Sequence, residues 1–231
     1  MNIAGLQKTS LLDFPGKLCC TVFTDGCNLR CPFCHNSSLV LTPGAAPWMP
    51  EQEIFAFLEK RKGLLDGVCI TGGEPLIQNG IEEFMIKIKK LGFLIKLDTN
   101  GTYPERLIEL VDRGVIDYVA MDIKNSLEHY GMTAGIENFD TTAVEKSVAF
   151  LLKGKVSYEF RTTVVREYHT TQDFISIGRW IKGANHYFLQ GYEDSEDVIN
   201  HDLHAWDKGK MEEFRAILKD YTTNVELRGI V

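Results

Sequence analysis

Three cysteines stand close together near the start of the chain: Cys27, Cys31 and Cys34, spaced C-x3-C-x2-C. Thiolates are soft ligands, and several on one short loop usually hold an iron–sulfur cluster. Three ligands would leave one iron of a [4Fe–4S] cubane free to bind something else, much as a catalytic zinc site keeps an open position. A zinc knuckle is the competing reading. It needs a fourth ligand, and the available one, His35, directly follows Cys34, which makes joint ligation of one tetrahedral ion awkward. Cys19, Cys20 and Cys69 lie in apolar runs and read as buried thiols.

Chemistry-bearing residues recur further along. Thr71-Gly72-Gly73-Glu74-Pro75 joins two glycines, which let a ligand approach the backbone, to a carboxylate that can accept from an ammonium group. Asp98-Thr99-Asn100-Gly101 and Asp122-Ile123-Lys124 read either as turn and cap residues or as two carboxylates able to hold a cation between them. The guanidinium of Arg161 suits a bidentate pair with a ligand carboxylate; a salt bridge to Glu159 or another acid is the alternative.

Each of these motifs lies in or directly after a predicted strand. The strands are 18–24, 68–71, 93–97, 117–121, 157–165 and 186–190. Between them run helical patterns: Ile54, Phe55 and Leu58 after Pro50; Ile81, Phe84, Met85 and Ile88 up to Gly92; Leu107, Ile108 and Val111 after Pro104. Val144, Val148 and Leu151 follow a predicted capping box of Thr142 and Glu145, and Phe174, Ile177 and Ile181 form the next helix. A last helix with Met211, Phe214 and Leu218 and a strand over 225–230 close the chain. Repeated β-then-α units imply a parallel sheet with right-handed crossovers. Six units fit an open doubly wound sheet or an incomplete β/α barrel, and periodicity does not choose between them. In both, loops at the C-terminal ends of the strands build the site.

The chain's 231 residues suffice for one sizeable core, and no low-complexity linker divides them, so one domain over 1–231 is expected. A hydrophobic share of 44% with 25% charged residues is that of an ordinary soluble enzyme. The net charge of −7 argues against general affinity for nucleic acid or anionic membranes. No apolar run approaches the roughly 18 residues of a membrane span, and the N-terminus lacks a signal pattern, so a cytoplasmic protein is expected.

The stretch Asp13-Phe-Pro-Gly-Lys…Phe23-Thr-Asp-Gly-Cys27-Asn-Leu-Arg-Cys31-Pro-Phe-Cys34-His-Asn36 resembles the entry segment of radical S-adenosylmethionine (SAM) enzymes that activate glycyl-radical enzymes. With the later motifs, the resemblance spans about 11–192. It implies a partial (β/α)6 barrel with parallel strands, its core over about 17–192. It further implies that Cys27, Cys31 and Cys34 hold a [4Fe–4S] cluster that cleaves SAM reductively to a 5′-deoxyadenosyl radical. Phe33, His35, Gly73, Glu74, Asp98, Asn100, Asp122, Lys124, Arg161 and Gln190 would then contact the cofactor, with Gly73 and Glu74 holding its methionine amino group. Gln190 stands where relatives often carry a histidine. Similarity to pyruvate formate-lyase activating enzymes implies a monovalent cation, sodium or potassium, at Asp98, Thr99 and Asp122.

The implied substrate is a glycine of a partner glycyl-radical enzyme, with flavodoxin or ferredoxin as electron donor; the overall pattern is most similar to activators of anaerobic ribonucleoside-triphosphate reductase. No cysteine lies between Asn36 and Val68, so this is the single-cluster type. Two alternatives stay open: a radical SAM enzyme acting on a small molecule, as 7-carboxy-7-deazaguanine synthase does, and a non-enzymatic iron–sulfur or zinc-binding module.

Overall fold

The computed structural model describes residues 1–230. The elements run β1 (Ile3–Ser10), β2 (Cys19–Thr24), α1 (Ser37–Leu41), α2 (Glu51–Glu59), β3 (Gly67–Gly72), α3 (Ile81–Lys90), β4 (Leu94–Thr99), α4 (Pro104–Asp112), β5 (Tyr118–Asp122), α5 (Tyr130–Ala134), α6 (Thr142–Leu151), β6 (Ser157–Val164), α7 (Thr171–Trp180), β7 (His186–Gly191), α8 (Lys208–Leu218) and β8 (Asn224–Arg228). A 3₁₀ turn, Pro75–Ile77, follows β3. The eight strands form one sheet in sequential order; β1 is antiparallel to β2, and all later pairs are parallel.

That order settles the choice left open by periodicity. A doubly wound sheet reverses its strand order at a switch point. Here the order never reverses, so right-handed crossovers place every connecting helix on one face. The result is a partial β/α barrel of six units, extended by β8 and flanked by β1.

Side-chain alternation then sorts the residues. On the helix-facing side Val22, Val68, Ile70, Ile95, Leu97, Val119, Phe160 and Leu189 pack against Leu58 of α2, Phe84 and Ile88 of α3, Val148 of α6 and Phe174 of α7. The alternate positions face the concave side and include Thr21, Cys69, Lys96, Asp98, Asp122, Arg161 and Gln190. A concave face this polar is a site rather than a second core.

One local expectation is corrected. The capping box is not at Thr142 and Glu145. Thr141 is the N-cap of α6 and its hydroxyl donates to Glu145, while Asp140 accepts from the Thr142 backbone and hydroxyl. The reciprocal box belongs to α7, formed by Thr170 and Asp173. No helix among the described residues is long and apolar enough to cross a membrane.

Candidate active site

A cavity of about 520 Å³ opens at the C-terminal ends of the strands. Cys27, Cys31 and Cys34 line it, together with Phe33, His35, Gly73, Asp98, Thr99, Asn100, Asp122, Lys124, Arg161 and Gln190. Every predicted site residue except Glu74 therefore borders one space, although β2 and β7 are far apart in sequence. Asp13, Asn36 and Thr163 also line it; none was expected as a site residue, although Asp13 and Asn36 bound the cysteine-bearing segment.

The cysteine loop is held by backbone bonds from several directions. Gly73 donates to the Thr24 carbonyl (2.9 Å) and Glu74 to that of Gly26 (2.9 Å). Arg30 donates to Ala134 at the end of α5 (2.9 Å), and Asn200 to Pro32 (2.9 Å). The Gly73 approach is close enough that a Cβ there would fall on the Gly26 carbonyl, and one on Gly135 would fall on that of Arg30. Glycine is thus required at both positions for steric reasons. Leu29, Cys31 and Phe33 are buried beneath the loop, and Phe33 packs against Tyr168 and His169.

Burial pushes the Cys27 thiol up and that of Cys31 up to about 11, with Lys124 pulling both back down. The Leu29 N–H points at the Cys27 sulfur (3.4 Å), and the Asn100 amide lies 3.9 Å from it. Sulfurs with N–H donors and a nearby ammonium suit thiolates that carry charge to a cluster. Among the described residues, no three His, Cys, Asp or Glu side chains form a group that could hold a single metal ion. His35 instead donates to the Glu193 carbonyl (2.7 Å) and stacks on Tyr192. The fourth ligand that a zinc knuckle would need is thus engaged elsewhere.

Glu74 does not reach the cavity. It is fully buried: Oε1 accepts from the Leu76 N–H (3.0 Å) and the Thr99 hydroxyl (2.8 Å), and Oε2 from the Asn100 N–H (2.7 Å). Its carboxylate ties the ends of β3 and β4 together, and no oxygen is turned toward an ammonium ligand. What the Gly-Gly-Glu turn presents to the cavity is the backbone of Gly72 and Gly73.

Burial lifts the Glu74 carboxyl from 4.5 to about 7, against the pull of its three donors. Because the native pKa lies above the unfolded one, the proton-linked stabilisation is complete below about pH 4.5 and is lost as pH rises through about 7. Denaturant unfolding of wild type and Glu74→Gln at pH 5 and pH 8 should therefore show the wild type losing up to about 3 kcal/mol relative to the variant. An equal stability difference at both pH values would contradict this placement of Glu74.

The aspartates sit in a chain of alternating charge. Lys96 pairs with Asp98 Oδ1, and the Arg161 Nη2 with Asp98 Oδ2 (3.1 Å). The Arg161 Nε pairs with Asp122 Oδ1 (2.5 Å), and Lys124 with Asp122 Oδ2 (2.8 Å). Burial alone would raise both carboxyls. Arg161, helped by Lys96 at one and Lys124 at the other, instead holds both below the usual carboxylate range. The expected cation position between the aspartates is thus filled by Arg161. Thr99, the third expected cation ligand, donates its hydroxyl to Glu74 and accepts from Gly101 (3.1 Å). Glu159, the acid considered as a partner for Arg161, instead pairs with Arg228 (3.0 Å) and accepts from Tyr118 (2.9 Å).

His169 was not visible as a site residue in the sequence. It is fully buried; its Nδ1 accepts from Val165 N–H (3.0 Å) and its Nε2 donates to the Lys124 carbonyl (2.8 Å). Burial pulls its pKa down, so it remains neutral and fixes the strand end that carries Lys124.

The family model of the radical SAM superfamily matches residues 21–169. The chain belongs to the radical SAM superfamily. A Methanocaldococcus jannaschii protein provisionally designated a glycyl-radical enzyme activating enzyme is 31% identical over 99% of this chain and 96% of its own length. The 7-carboxy-7-deazaguanine synthase of Koribacter versatilis is 32% identical over 81% of each chain. Among solved structures, Streptococcus suis SuiB bound to precursor peptide SuiA superposes with a TM-score of 0.69 at 14% identity, covering 91% of this chain and 48% of SuiB. That likeness supports the radical SAM fold alone.

Proposed function

We propose that this protein binds a [4Fe–4S] cluster through Cys27, Cys31 and Cys34, cleaves SAM reductively, and installs a glycyl radical on a partner enzyme. The observation that carries the reading is one cavity whose wall holds three thiols on one side and the Asp98–Arg161–Asp122–Lys124 chain on another. When bound, the cluster supplies the electron that breaks a carbon–sulfur bond of SAM. The chain's own residues bind and orient. The backbone of Gly72 and Gly73 offers carbonyls to the cofactor's ammonium group, and Arg161 and Lys124, which line the cavity, receive its carboxylate. Phe33 shields the cluster side from water, and Gln190 at the end of β7 meets the nucleoside.

One observation supports a protein substrate. The relative with the fuller coverage carries the activating-enzyme designation. The similarity to a 7-carboxy-7-deazaguanine synthase favours a second reading, with a small-molecule substrate. The cavity weighs against it, because among the described residues that line it Phe33 and His35 are the aromatic rings, which leaves little on which to stack a second heterocycle.

The test is anaerobic incubation of the reduced protein with SAM and candidate glycyl-radical enzymes, read by paramagnetic resonance. A glycyl radical on one partner is expected, with reduced flavodoxin or ferredoxin serving as electron donor. If SAM is cleaved but no candidate acquires a radical, the small-molecule reading takes its place.

A further inference from the structure

Lys96 has no part in the function as described so far. It lies two residues before Asp98 on β4, so both side chains face the concave side, and it is only 2% exposed. Its ammonium pairs with Asp98 Oδ1 and stands 3.9 Å from the sulfur of Cys69, whose thiol burial and Asp98 keep protonated. Burial alone would lower the pKa of Lys96; Asp98 more than offsets this, so the lysine is charged.

A bound sodium or potassium ion needs several oxygen lone pairs turned toward one point, as hard cations generally do. Those oxygens are already used. Each of the four carboxylate oxygens of Asp98 and Asp122 accepts from a cationic nitrogen: Lys96 and Arg161 on the first, Arg161 and Lys124 on the second. Three cations thus hold two carboxylates. A further cation would meet the ammonium groups of Lys96 and Lys124 and the Arg161 guanidinium at close range, where like charges repel strongly.

We propose that Lys96 and Arg161 are this chain's resident monovalent charges and take the place of the metal cation implied by resemblance to pyruvate formate-lyase activating enzymes. Lysine suits this task because its ammonium is a compact point charge, whereas the arginine fork spans both aspartates. It follows that SAM binding needs no added sodium or potassium. This rests on the reading that the cavity receives SAM.

The test is equilibrium dialysis of SAM against the anaerobically reconstituted holoenzyme at constant ionic strength, with tetramethylammonium, sodium or potassium as the sole buffer cation. The affinities are expected to agree within about twofold. A gain of about tenfold or more in sodium or potassium would overturn the inference. Absence of binding in every buffer would overturn the functional reading itself and the inference with it. Lys96→Met provides the second arm. It should bind SAM about tenfold more weakly in tetramethylammonium and recover part of that loss in about 0.1 M potassium. Wild-type affinity of the variant in tetramethylammonium would overturn the role of Lys96. Should the variant fail to fold, the wild-type cation series still decides.

Discussion

Alanine at Cys27, Cys31 or Cys34 is expected to strip most of the iron from the reconstituted protein and to reduce release of 5′-deoxyadenosine from SAM by more than about 100-fold. Mutations one shell further out from a metal typically cost 10- to 100-fold, and these three side chains are the proposed ligands themselves. A fourth cysteine cannot step in. Cys19, Cys20 and Cys69 are fully buried in β2 and β3 and do not line the cavity. Alanine at those three positions should leave iron content and SAM cleavage near wild type and cost about 1 kcal/mol of stability for the small void. Iron and sulfide analysis with product quantification on all six variants separates the two groups. Normal iron in the Cys31→Ala protein would remove that cysteine from the ligand set.

Arg161→Met is expected to destabilise the fold by about 3–5 kcal/mol and to weaken SAM binding by at least about tenfold. The arginine is the middle member of the charge chain and the one group that contacts both Asp98 and Asp122. Without it, Lys96 and Lys124 each still hold one aspartate from the outer side, but two largely buried carboxylates then face each other across the space the guanidinium filled. Removing one partner of a buried pair costs more than forming the pair gains, because the remaining charge keeps its desolvation penalty. Arg161→Lys should recover only part of the loss, since an ammonium cannot reproduce the two-sided fork. Denaturant unfolding and SAM dialysis on both variants check this. Wild-type stability in Arg161→Met would show that the aspartates are solvated rather than held by the chain of charges.

Most of the positioning framework could be read from the sequence because it rests on local signals. Pro104 and Gly114 delimit α4, the run from Val68 to Thr71 marks β3, and the three cysteines announce themselves by type and spacing. The elements that escaped lack such signals. β1 carries Gly5, Gln7, Lys8 and Thr9, and only its two end residues are buried, as fits an edge strand whose partner lies further along the chain. α5 is five residues long, too short for a periodic stripe, yet its end braces the cysteine loop through Ala134.

The site departed from expectation where distant residues meet. Lys96 within FLIKL carries no site signal of its own; closure of the sheet places it inside, beside Asp98. Glu74 is a sound ammonium acceptor by residue type. The turn at Pro75 instead buries its carboxylate under the backbone of Asn100, 26 residues away, a contact no local pattern encodes. Thr142 and Glu145 match the capping pattern, but Asp140 competes for the Thr142 N–H; the box at Thr170 carries Asp at its third helical position and falls outside that pattern.

The central claim is that the Cys27–Cys34 loop and the charge chain opposite it serve SAM cleavage. The most direct measurement is product analysis after anaerobic reconstitution, reduction and addition of SAM, with no protein partner present. The account predicts 5′-deoxyadenosine and methionine in equal amounts, formed only when the protein carries its iron and sulfide and has been reduced. A protein with four irons and four sulfides per chain that binds SAM yet releases no 5′-deoxyadenosine would contradict it.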